Sequence, residues 1–174
     1  MRPVLLVPGY QGSGPGHWQT LWEAALPQAT RVEMPDWEHP EPEGWIAALA
    51  AAVAACAEAP ILVGHSLGCI TIIHWALRQA APIHGALLAA PADVERPGGL
   101  EALRSFGPIP QRSLPFPAIL AASANDVFMT HDRAVTLARA WGVRRVDLGS
   151  VGHLNFASGH GPWNQGEGLL AELR

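Results

Sequence analysis

Hydrophobic positions along this chain fall into two alternating patterns. Short, largely apolar runs with strand character occur at Val4 to Val7, Arg31 to Met34, Ile61 to Gly64, Gly85 to Ala90, Ala118 to Ala122 and Arg144 to Leu148. Between most of them lie longer stretches of helical character, His17 to Leu26, Gly44 to Ala59, Leu67 to Ala80 and Thr130 to Trp141, with a last one near Gly166 to Arg174. Short runs suit strands and longer periodic stretches suit helices. Their alternation predicts a doubly wound, mostly parallel sheet of about six strands with helices on both faces, because parallel neighbours need crossover connections. In such a sheet, functional residues are expected at the carboxyl ends of strands. One segment breaks the rhythm: Asp93 to Pro117 is rich in proline and glycine and has only a short helical piece around Leu100 to Ser105, which predicts a small flap over the sheet edge.

Composition narrows the picture. At 174 residues the chain is expected to form one domain, residues 1–174, around a single core. Hydrophobic residues make up 49% and charged residues 15%, too apolar for a disordered chain. No apolar run approaches the roughly 20 residues of a spanning helix, and Val4 to Val7 is too short for a signal-peptide core. A soluble cytoplasmic protein is the expectation. The net charge of −4, with Arg144-Arg145 the densest basic pair, argues against a nucleic-acid or anionic-membrane partner. Cys56 and Cys69 stand in apolar helical surroundings and read as buried thiols, not a disulfide framework.

The candidate chemistry sits at Gly64-His65-Ser66-Leu67-Gly68, between an apolar run and a helical one. A Gly-x-Ser-x-Gly stretch in a strand-turn-helix setting lets the backbone turn sharply enough to expose the serine at the end of a sheet. A serine hydroxyl needs a base to take its proton and an acid to fix the base. The expected chain order is serine, acid, histidine. Asp126 follows the run Ala118 to Ala122 and His153 follows Arg144 to Leu148, which makes them the preferred acid and base. Asp93 is an alternative acid. His160 and His131 are weaker bases, His74 and His84 read as packed histidines, and His65 reads as a turn residue with local bonds. No His or Cys spacing suggests a metal, and no cofactor is called for.

Acyl transfer also needs donors for the developing oxyanion. The Leu67 N–H at a helix start is one; the second is expected from the glycine-rich loop after the first strand, at Tyr10 or alternatively Gln11. That loop supports a rival reading, because Gly9-x-x-Gly12-x-Gly14 resembles a dinucleotide-binding turn, with Glu33 and Asp36 as ribose-binding acids. Pro15-Gly16 weakens it by delaying the helix that should receive the phosphates.

Pro8-Gly9 with its glycine-rich loop, His17-Trp18, the Ser66 turn, Asn125-Asp126, and Gly152-His153-Leu154-Asn155-Phe156-Ala157-Ser158-Gly159 followed by Gly161-Pro162-Trp163 together resemble the small serine hydrolases related to retinoblastoma-binding protein nine. The resemblance spans nearly the whole chain, and the Gly-His-x-Asn-x-x-Ser-Gly segment is its most specific part. It implies a minimal α/β-hydrolase fold without a large cap domain, a triad of Ser66, Asp126 and His153, and weak activity on short activated esters. Val127 to Thr130 and the proline-rich segment from Arg96 depart from the family pattern, which bears on pocket shape.

The expected activity is therefore cleavage of small-molecule carboxylic esters of small to medium acyl groups through an acyl-enzyme. Gln11, His17, Trp18 and Trp163 are the candidate substrate-binding residues. Of the seven tryptophans, Trp18, Trp22, Trp45 and Trp75 also fit helical core positions, whereas Trp37 and Trp163 sit in loops. A protein-binding scaffold with a vestigial triad is the alternative from another class, since a relative is named for a partner. Peptidase or amidase action would use the same residues.

Overall fold

The computed structural model describes residues 2–78 and 82–174. Six strands, β1 Val4–Val7, β2 Ala29–Arg31, β3 Ile61–His65, β4 Gly85–Ala89, β5 Ala118–Ala122 and β6 Arg144–Asp147, form one sheet in the order β2-β1-β3-β4-β5-β6. Every pair is parallel. The helices are α1 Trp18–Ala25, α2 Pro42–Ala54, α3 Leu67–Arg78, α4 His131–Trp141 and α5 Asn164–Glu172. This is the doubly wound parallel sheet that the alternation predicts and the small α/β-hydrolase architecture that the resemblance implies, with no large cap among the described residues.

Side-chain alternation along β1 sorts the two layers. Val4 and Leu6 point into a cluster with Trp18, Trp22, Trp163 and Leu170, so α1 and α5 cover that face. Leu5 and Val7 join Trp45, Leu49, Ile70 and Leu137 under α2, α3 and α4. A strand covered on both faces must be apolar at every position, and β1, β3, β4 and β5 are buried throughout.

The second strand and the second helix depart most from expectation. The second strand occupies Ala29–Arg31, not Arg31 to Met34, because its register pairs Val4 with Ala29 and Leu6 with Arg31. Val32 and Met34 are apolar because they are buried in irregular chain beside the core. The second helix starts early, with Pro42 in its first turn, and ends at Ala54. Pro60 disfavours helical backbone just before it. The last two residues of the expected third helix, 79 and 80, lie outside the described residues.

The proline-rich segment is a flap, but it lies on α2 and α3, not on a sheet edge. A 3-10 helix, Glu101–Phe106, buries Leu103 and Phe106. The Phe106 ring meets Trp45 edge-on at 5.9 Å, and its carbonyl accepts a bond from His74 Nε2–H on α3 at 2.7 Å. The sheet reverses its winding between β1 and β3, so the carboxyl ends of those strands flank a crevice, the usual ligand position in such a sheet. Gln19 of α1 is fully buried beside it and donates to Val7 O at 3.3 Å and Val63 O at 3.1 Å, tying β1 to β3.

Candidate active site

At the end of β3 the chain must leave the sheet and enter α3 at once, which puts Ser66 at φ 53°. Such a backbone strains a non-glycine residue. Its neighbours make the turn sterically feasible: a Cβ at Gly68 would lie 2.0 Å from Val7 O, and one at Gly64 would lie 2.9 Å from Cys69 N. Gly9 is equally confined, since its Cβ would meet Ser66 Cβ at 2.8 Å.

Ser66 Oγ–H donates to His153 Nε2 at 2.9 Å. His153 Nδ1–H faces both Asp126 oxygens at 2.9 Å. The Asp126 side chain is 1% exposed, and Phe128 N–H also donates to its Oδ1 at 2.8 Å, fixing the plane of the carboxylate. Asn125 holds the same corner by accepting from Ser123 Oγ–H at 2.9 Å and Gly152 N–H at 2.7 Å. Asp93, the alternative acid, is turned away: it faces the Arg133 guanidinium at 3.5 Å and caps Glu95 N–H.

The two backbone donors are differently placed for an oxyanion. Leu67 opens α3, where the first N–H groups lack helical acceptors and the helix dipole favours negative charge. In the first loop, Gln11 N–H already donates to Trp37 O at 3.1 Å, and Gly12 N–H to Gly9 O at 3.0 Å. Among the described residues Tyr10 N–H has no such acceptor, which favours it over Gln11. The loop itself is pinned by Arg31, whose guanidinium donates to Ser13 O at 2.8 Å and Thr20 Oγ1 at 2.6 Å. Gln11 and Gly12 N–H are thus already engaged, and α1 begins only at Trp18; neither fits a pyrophosphate cradle.

A cavity of about 460 Å³ opens over Ser66, walled by Tyr10, Gln11, His17, Leu100, Leu103 and Phe128. The Phe128 ring lies 4.4 Å from that of His153. Among the described residues, no Lys, Arg, Asp or Glu belongs to the lining. His17 is held neutral, its pKa lowered to about 4, first by burial and then by Arg31, His153 and His160. Burial likewise keeps His65 neutral, well below the ordinary imidazole range.

Residues 4–172 match the family described as serine hydrolase. The chain belongs to the serine hydrolase family. A crystal structure of a YdeN-like hydrolase from Pectobacterium atrosepticum is 33% identical, covers 99% of this chain and 90% of its own, and superposes with a TM-score of 0.88. The ydeN gene product of Bacillus subtilis, at 21% identity and TM-score 0.80, covers 99% of this chain and 98% of its own. An esterase domain from Rhodothermus marinus, at 18% identity and TM-score 0.71, covers 98% and 87% and shares the fold. No curated protein sequence matches the chain.

In this serine hydrolase, Ser66, Asp126 and His153 come together, and Gln11 and His17 border the cavity. Trp18 and Trp163 do not. Both are buried in the core beneath α1 and α5, their ring centroids 4.8 Å apart, and Trp18 Nε1–H is bonded to Leu154 O at 2.8 Å. Trp37 stands beside Gly12 in a neighbouring surface groove. Leu100, Leu103 and Phe128 line the cavity without having been singled out as site residues by sequence, and so does Asn155, which sequence marked only as part of the Gly-His-x-Asn-x-x-Ser-Gly segment. For Phe128 a signal existed: it lies two residues after the acid, in the stretch that departs from the family pattern.

Proposed function

We propose that the protein hydrolyses small-molecule carboxylic esters of small to medium acyl groups through an acyl-enzyme on Ser66. The unbroken line from Ser66 Oγ through His153 to Asp126 carries this reading. Ser66 Oγ attacks the ester carbonyl carbon as His153 Nε2 takes its proton. The C–O π pair moves to oxygen, where Tyr10 and Leu67 N–H groups receive the charge. Collapse expels the alcohol oxygen, which takes the proton from His153. Water then repeats the sequence on the acyl-enzyme, with His153 as base, and releases the acid. Asp126 keeps the proton on Nδ1 and stabilises the imidazolium without itself being protonated.

A cavity of this size without a large cap supports preference for acetyl and butyryl over long-chain esters. The free thiols of Cys56 and Cys69 support a cytoplasmic setting. Intact mass after exposure to a fluorophosphonate should show one adduct on the native chain and none on Ser66→Ala. A folded native chain without an adduct would overturn the reading and favour the protein-binding scaffold. In that case the exposed Leu100, Val127 and Phe156 are the apolar groups to test. Faster cleavage of palmitoyl than butyryl esters would overturn the acyl-size assignment.

A further inference from the structure

His153 sits on an unusual piece of backbone. Gly152 before it and Leu154 after it both have positive φ, 69° and 51°. Leu154 is a branched residue, fully buried, in a region that such residues adopt only under constraint. The constraint comes from two ring N–H groups far away in sequence. His65 Nε2 lies 2.8 Å from His153 O, and Trp18 Nε1 lies 2.8 Å from Leu154 O. Consecutive carbonyls are thus held by side chains from the end of β3 and the start of α1. A carbonyl can only accept, so His65 carries its proton on Nε2.

From this geometry, and resting on the proposed hydrolase reading, we infer that His65 is a positioning residue for the catalytic base: its Nε2–H is a strut that fixes the His153 backbone relative to the adjacent Ser66. His65 is no local turn residue, since its bond crosses 88 positions of sequence. It immediately precedes Ser66, so the same strand end sets both the nucleophile and, through the strut, the distance to its base. Burial of His65 keeps the ring neutral, which leaves the Nε2–H tautomer undisturbed by ordinary changes of pH.

Three substitutions and one spectrum test this. His65→Phe keeps a ring but loses the donor; His65→Gln places an amide N–H near the Nε2 position; His65→Asn is too short to reach. With p-nitrophenyl butyrate, His65→Phe should lower kcat by about 100-fold with KM nearly unchanged, the effect of a misplaced catalytic group. Fluorophosphonate labelling should slow in parallel. His65→Gln should recover most of the loss and His65→Asn little of it. Native kcat in folded His65→Phe, or Gln no better than Asn, would overturn the inference. Imidazole nitrogen NMR of the Ser66→Ala chain needs no further variant to fold and no turnover: a proton on His65 Nε2 supports the strut, and one on Nδ1 overturns it. A native chain that takes no fluorophosphonate would strike the hydrolase reading and the catalytic role of His65 with it, while the spectrum still reports whether the strut exists.

Discussion

Replacing Asp126 by Asn changes two atoms' chemistry and almost no volume, yet the geometry gives it a large effect. Phe128 N–H donates to Oδ1 at 2.8 Å, so in Asp126→Asn the amide oxygen must remain there to accept it. The amide NH2 is then directed at His153 Nδ1, which lay 2.9 Å from Oδ2. The Nδ1–H would keep only Oδ1, which already accepts from Phe128 N–H, while facing a donor NH2, so the tautomer with Nδ1 as acceptor and the imidazole proton on Nε2 is favoured. That nitrogen can no longer accept from Ser66 Oγ, its partner at 2.9 Å. A triad with the wrong tautomer loses about 10⁴ in kcat, equivalent to about 5.5 kcal/mol of transition-state stabilisation. Burst and steady-state hydrolysis of p-nitrophenyl acetate near neutral pH measure it, with circular dichroism to verify the fold. A loss below about tenfold would refute the assignment of Asp126 as the orienting acid.

Other consequences are equally direct. The His17 imidazole titrates at about 4 in the fold against 6.5 when unfolded, so between those values the unfolded chain binds a proton that the folded one does not. Stability should therefore be full above about pH 7 and fall toward pH 4, by about 3 kcal/mol from this group. Buried His65 acts in the same direction. His17→Asn keeps an acceptor for Gln19 N–H but removes the titration, and should flatten the fall in Tm; an unchanged slope contradicts it. Gly68→Ala drives a Cβ to within 2.0 Å of Val7 O and should destabilise the chain by about 3 kcal/mol, read by chemical denaturation. With no charged side chain among the described residues of the cavity lining, the p-nitrophenyl monoester of succinate should show kcat/KM about tenfold or more below that of the butyrate. Equal values would require a cation at the cavity.

What the sequence made legible is what local patterns encode. Strands buried on both faces announce themselves as continuous apolar runs, and the glycines around Ser66 mark a turn that few other residues could make. Asp126 and His153 were legible because each stands just past a strand's carboxyl end. What escaped is tertiary. Val32 and Met34 are as apolar as strand residues, yet only pairing with β1 decides where β2 stops. Trp18 stands beside His17 in one motif, but the helix turns one ring toward the cavity and the other into the core. Leu100 and Leu103 reach the cavity only because the flap folds back over α3, which no spacing in the sequence encodes.

The glycines of the serine turn carry a consequence for lineage. Gly68 is demanded by the carbonyl of Val7 and Gly64 by the backbone at Cys69, and neither contact involves the reacting atoms. A descendant that lost Ser66, and with it any chemistry, would still need both glycines in order to fold. The Gly-x-x-x-Gly frame in such a chain is therefore a record of how the sheet meets its helix, and by itself it does not tell an enzyme from its silent copy.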